Sequence, residues 1–160
     1  MTTLVLPAPK DVRDLLEDLL GKDVTVGTGE PVRVADLPRM VVAVYVTDGL
    51  RMTAVAGLDL GLAAYAGAAL GLVPVGGANA CIEDRELSPM LGENVGEICN
   101  VLSALLNREG APHVRHYGTY LVGQPPPADA AAHLMALGQR LDLNVDVAGY
   151  GSGTLSIALA

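Results

Sequence analysis

The sequence predicts one α+β domain over residues 1–160, a mostly antiparallel sheet with long helices packed on one face. Three observations carry that expectation. The β-branched runs "MVVAVYV" and "LRMTAVAG" flank Asp48-Gly49, a dipeptide suited to a tight hairpin turn. Near the end of the chain, "LNVDVAGYGSGTLSIAL" has the same form, with its turn in "GYGSG". Between the two hairpins runs "LGENVGEICNVLSALLN", whose apolar residues recur at helical spacing. Hairpins make antiparallel pairs, and amphipathic helices must bury their apolar stripes against them.

The remaining elements follow in order. Pro9 leads into "KDVRDLLEDLLG", where Val12, Leu15, Leu16, Leu19 and Leu20 mark a helix and Gly21 its stop. "DVTVGTGEPVRV" alternates like a strand broken by a Gly-rich turn. After the first hairpin comes an Ala/Gly-rich helix from Leu60, interrupted by Pro74, Gly76-Gly77 and Asn79. Ser88 is a natural N-cap and Pro89 a natural first residue for the next helix, which is expected to reach about Asn107. "HVRHYGTYLVG" reads as a strand, Pro125–Pro127 as a stiff linker and "ADAAAHLMALGQ" as a short helix. Helix–strand–strand–helix units before and after residue 80 hint at an internal duplication.

Composition narrows the function. The formal net charge is −8, which disfavours nucleic acid and anionic membrane surfaces as partners. Trp and Phe are absent, so the core must be built from aliphatic residues. The uncharged stretch Leu60–Ile82 allows a continuous helix only as far as Val73, short of the roughly 20 residues a bilayer requires. With no basic segment ahead of an apolar run at the N-terminus, a soluble cytoplasmic protein is expected. Cys81 and Cys99 match no metal or redox spacing.

Few residues offer chemistry. His113 and His116 are three apart on a strand and cannot share a metal, and His133 stands alone. "VGGAN" and "GYGSG" lack the strand–loop–helix order of a phosphate loop and read as turns. No Gly-x-Ser-x-Gly elbow surrounds any serine. The exception is the helix after Ser88. At about 100° per residue, Glu97, Asn100 and Ala104 fall within roughly 40° of Glu93, with Asn107 at the far edge of the stripe. Leu91, Val95, Ile98, Leu102 and Leu105 occupy the other side, and Gly92, Gly96 and Ser103 flank the polar line. Each mid-helix glycine costs about 1 kcal/mol relative to Ala, and room for another surface to approach would justify that cost. A simply solvated face is the competing reading.

At these residues the chain resembles the CheC/CheX/FliY chemotaxis phosphatases. "ELSPMLGENVGEICNVLSALL" is similar to their signature helix, with Glu97 and Asn100 forming the Glu-x-x-Asn core and Gly96 ahead of it as in the CheX branch. The order of elements is similar across nearly the whole chain. Glu93 stands where the family has Asp or Ser, and Gly123 at the family's proline position, with Pro125 two residues on. Ala104 replaces a glycine common in the CheX branch, the Ala-rich helix has no second Glu-x-x-Asn, and "PPPADAAAHLMALGQ" is an addition to the smaller CheX-type plan.

The resemblance implies hydrolysis of the aspartyl phosphate on a CheY-like response regulator. It implies Glu97 and Asn100 as catalytic residues, Glu97 pairing with a lysine of the regulator and Asn100 holding the attacking water. Glu93, Gly96, Ser103 and Ala104 would line the partner surface. No cofactor belongs to the chain itself, since Mg²⁺ comes with the regulator. A homodimer formed by sheet-edge pairing is also implied, and "TLSIALA" carries none of the charges that blunt a free edge. Two other readings stay open: a non-catalytic adaptor or flagellar-switch scaffold of this fold, and an unrelated structural or small-molecule-binding domain.

Overall fold

A computed structural model describes residues 4–160. Its centre is one six-stranded, wholly antiparallel sheet of order β1-β5-β6-β3-β2-β4. The strands are β1 Val24–Thr28, β2 Met40–Thr47, β3 Met52–Asp59, β4 Val114–Tyr120, β5 Arg140–Val147 and β6 Gly151–Leu159. The two hairpins expected from the sequence are β2–β3 and β5–β6. Three helices cover one face: α1 Pro9–Leu20, α2 Leu60–Leu70 and α4 Pro89–Leu102. α1 lies against β1, α4 against β4, and α2 runs between them. The other face carries a smaller core under α5, Ala128–Met135, where Ala130 and Leu134 meet Val42, Val44 and Val55.

Local sequence explains each boundary. Pro9 opens α1, and Gly21 closes it at φ 65°, donating its N–H to the Glu17 carbonyl. Asp59 caps α2 by accepting from the Leu62 N–H at 2.8 Å. Ser88 caps α4 in the same way from Leu91 at 3.3 Å. α2 is apolar nearly all round because it is enclosed by the sheet, α4 and a further helix, α3 Val75–Asp84. Among the described residues, no helix is long and apolar enough to cross a membrane.

Four sequence expectations need correction. "VGGAN" is not a turn but the first half of a helix, α3 Val75–Asp84. Pro74 does interrupt the chain after α2, yet Ala78 and Cys81 then bury against Ala64, Ala68 and Leu91, and that packing outweighs the glycines' poor propensity. "PVRV" is not a strand: Arg33 caps a 3₁₀ turn, Val34–Arg39. The helix from Ser88 ends at Leu102, and a 3₁₀ turn, Ser103–Leu105, carries it towards β4. "TLSIALA" is not a free edge, because β6 is paired on both sides by β5 and β3.

The duplication is present in a different form from the one expected. Apart from α5, inserted between β4 and β5, and the helices α2 and α3 that link the halves, each half is a helix followed by three strands, α1-β1-β2-β3 and α4-β4-β5-β6. Exchanging the halves merely reverses the strand order, and each half's edge strand pairs with the other half's hairpin. α1 and α4 therefore hold equivalent places.

One bond ties α4 to the sheet. Tyr45, buried on β2, donates its hydroxyl to the Cys99 carbonyl at 2.6 Å. Tyr45→Phe should lower unfolding stability by about 1–2 kcal/mol in urea denaturation, since a buried acceptor loses its partner. An unchanged midpoint would show that the bond does not hold the helix.

Candidate functional site

α4 turns Leu91, Val95, Ile98, Cys99 and Leu102 into the core and Glu93, Glu97 and Asn100 to solvent. The division follows from its period: the buried set repeats at three and four residues, and the polar line occupies the opposite side. Ala104 continues the exposed line on the 3₁₀ turn. Ser103 is half-buried, and its hydroxyl donates to the Asn100 carbonyl at 2.7 Å, so it closes the helix end. Asn107 does not extend the line. Its Nδ2 donates to the carbonyls of Ser103 and Val114, at 3.1 and 2.7 Å, and its Oδ1 accepts from the Val114 N–H at 2.8 Å. That clasp turns the chain into β4.

The two glycines beside the line have different surroundings. A Cβ on Gly92 would meet Leu121 Cδ1 at 2.8 Å, so its missing side chain makes room for the chain's own residue. A Cβ on Gly96 would meet nothing within 4 Å. Only Gly96 leaves space beside Glu97 and Asn100.

Three features of the site were not anticipated from the sequence. Asn94 donates from Nδ2 to the Gly67 carbonyl at 2.9 Å, pinning α4 on α2. An amide among apolar neighbours at a helix crossing was the available signal. His116, half-buried on β4, approaches Thr119 Oγ1 with its Nε2 at 2.7 Å and lies tilted against the Tyr45 ring. Gly123 has φ 89°, so the turn after β4 adopts a conformation closed to proline.

The electrostatics leave the site's charge on its rim. Burial pushes the Cys99 thiol up to about 12, a bond from Thr119 opposing it weakly, so Cys99 is no nucleophile. Burial also holds the Tyr45 phenol well above its ordinary value. Burial lowers His116 below 6.5, against a backbone bond to Gly118 and the charge of Glu97. Among the described residues, no group of three or more His, Cys, Asp or Glu could hold a metal ion. An open apolar cleft of about 330 Å³, lined by Leu37, Pro38, Met40, Pro125, Pro126 and Ala131, lies on the α5 side of the sheet, away from this line.

No protein-family model and no curated protein sequence matches the chain. Solved structures do. FliY of Thermotoga maritima superposes with a TM-score of 0.55 at 14% identity, over 96% of this chain and 85% of that one. The fold is that of the CheC/CheX/FliY family. A chain of the CheX–CheY–BeF3–Mg complex from Borrelia burgdorferi gives 0.52 at 12% identity, over 91% and 90%. One from the FliM–SpeE complex of H. pylori gives 0.53 at 8%, over 94% and 80%. At these identities the likeness is one of fold.

The contrast between the glycines is measurable. Gly96→Ala should stabilise the free protein by about 0.5–1 kcal/mol, the helix propensity gain with no steric cost. Gly92→Ala should gain less or lose stability, because Leu121 must move. Equal gains in chemical denaturation would refute the distinction.

Proposed function

We propose that this chain docks the exposed face of α4 on a phosphorylated CheY-like receiver domain and promotes hydrolysis of its aspartyl phosphate. The observation that carries the reading is the display of Glu97 and Asn100 one turn apart on a helix fastened at Asn94 and Cys99 and, just past its end, at Asn107, with open space at Gly96 beside them. A CheX–CheY complex among the structures of this fold supports the choice of partner. The described part of α4's exposed face carries two carboxylates and no cation, so a phosphate is not held there by charge. Phosphate and Mg²⁺ belong to the partner, and the setting is the cytoplasm.

In this reading Glu97 pairs with a lysine of the receiver and sets the register of docking. The Asn100 side-chain amide accepts a hydrogen bond from the attacking water and donates one nearby, which a neutral amide alone can do. The water oxygen forms a new bond to phosphorus, and the bond from phosphorus to the aspartyl oxygen breaks. The aspartate leaves as a carboxylate, and the water's protons end on phosphate and solvent. Phosphoryl transfer has a loose transition state, so positioning supplies most of the catalysis. Glu93, one turn back, makes a rim contact. Gly96 and Ala104 allow close approach, and Ser103 supports the helix end.

The FliM–SpeE neighbour favours a second reading, docking without catalysis. Three variants separate the two. Asn100→Ala should lower the rate of receiver dephosphorylation by roughly 10²-fold, comparable to losing one preorganised hydrogen bond, with stability nearly unchanged. Glu97→Ala should weaken docking first, and Glu93→Ala should do less. Equal rates for wild type and Asn100→Ala would leave the adaptor reading in its place.

We also propose a homodimer through a sheet edge. The edges are β1 and β4, and the bulge in β4 makes β1 the more regular template. Light scattering at micromolar concentration should find the dimer, and Pro substitution within β1 should dissolve it. A monomer throughout that range would remove the proposal.

A further inference from the structure

The exposed line of α4 accounts for one surface only; a second begins where α3 meets the start of that helix. A small apolar core lies there, made of Ala64, Ala68, Ala78, Cys81 and Leu91. Residues this small let α3 lie close on α2, but they have little bulk with which to cover their neighbours. Val73, Ile82 and Leu87 pack against the cluster and stay half-buried. Met90, the second residue of α4, is 56% exposed.

The result is an open groove of about 490 Å³. Its apolar lining includes Val73, Cys81, Leu87, Met90 and Leu91. A Cβ on Gly77 would lie 2.7 Å from Val73 Cγ1, so that glycine gives the valine its place in the lining. Cys81 Sγ accepts from the Ser88 N–H at 3.4 Å, which fixes the connection between α3 and α4 as one wall.

The charge of the groove has one sign. Asp84 and Glu86 line it, and no Lys, Arg or His does. Both residues are exposed, and among the described residues neither belongs to an ion pair. Arg85, between them in the chain, is not part of the lining. The apolar cleft on the α5 side differs in this respect, since no charged residue lines it to select an occupant.

Charge and shape together select the occupant here. Carboxylates repel phosphate backbones and anionic headgroups. The walls are helices and their connections, so no strand edge is present to hold a partner by main-chain pairing. What fits is an apolar side chain flanked by cations. Methionine suits such a wall, because its flexible, polarizable side chain adapts to the group that enters.

We propose that this groove docks a basic amphipathic segment of a partner protein, an apolar side chain entering against Met90 and Leu87 while flanking Lys or Arg side chains pair with Asp84 and Glu86. Docking here needs neither Glu97 nor Asn100. The apolar contact supplies most of the affinity, and the rim pairs set the association rate and its salt dependence.

The experiment uses the whole protein and a synthetic helical peptide of leucine and lysine with one apolar face. Calorimetry at about 0.15 M salt, where distant surface charges are screened, should give a dissociation constant on the order of 10 μM. A peptide of equal charge with serine at the leucine positions should bind at least about tenfold more weakly. Met90→Asp separates the groove from general attraction to an acidic chain. It adds negative charge, so general attraction would tighten binding, whereas loss of the apolar wall should weaken it about tenfold. The double reversal Asp84→Lys, Glu86→Lys should also weaken binding about tenfold, and the matched reversal Asp11→Lys, Asp18→Lys at exposed positions of α1 should change it by less than about threefold. Asn100→Ala should bind as wild type does, so a failure of the phosphatase reading would leave this result standing. The groove would be overturned by tighter binding in Met90→Asp, by equal losses from the two charge reversals, by equal affinity for the leucine and serine peptides, or by no binding to wild type. A loss of binding in Asn100→Ala would place the peptide on the polar line of α4 and overturn it as well.

Discussion

The whole arrangement depends on how closely α4 can approach α2. A Cβ on Gly67 would lie 3.1 Å from both the Leu91 carbonyl oxygen and Val95 Cγ2, so the helices meet where α2 has no side chain. The Asn94 amide uses that proximity to bond the Gly67 carbonyl. Even a methyl group at 67 would press on Leu91 and Val95, which would have to give by a few tenths of an ångström in a close-packed contact. Helix α2 thus presents small residues to the helix that displays the polar line, beside which it lies on the sheet.

Rigidity of display matters because the chain brings so little chemistry of its own. Its buried polar groups near the site are neutral at pH 7, and charge is confined to carboxylates on the rim. A carboxylate and an amide have modest intrinsic reactivity. They become useful when their geometry is set before a partner arrives, which lowers the entropy of assembling a transition state. The bonds at Asn94, Cys99 and Asn107 supply that preorganisation from three directions.

The two halves of the fold show what distinguishes α4 from its structural equivalent. On α1, the exposed side is occupied by Lys10 bonded to Asp14 at 2.8 Å and Arg13 to Asp14 at 3.0 Å. Two of its carboxylates, Asp14 and Glu17, already have cations from their own helix. The carboxylates of α4, Glu93 and Glu97, have no cation on theirs.

The sequence by itself determined the elements whose information is local. The Asp48-Gly49 hairpin, the Ser88-Pro89 start of α4 and the separation of Glu93, Glu97 and Asn100 from Leu91, Val95, Ile98 and Leu102 all follow from turn chemistry, capping and a 3.6-residue period. Elements whose energy comes from distant contacts were not legible. α3 forms through glycines because Ala78 and Cys81 find Ala64, Ala68 and Leu91 across the chain. "TLSIALA" resembles a bare edge until β3, distant in sequence, covers it, and the reason for Gly92 is Leu121 on another element. His116 looked isolated because a bulge is invisible to a two-residue period. Only pairing with β2 reveals that Tyr117 is extra, and only that extra residue turns Thr119 to the side of His116 and α4.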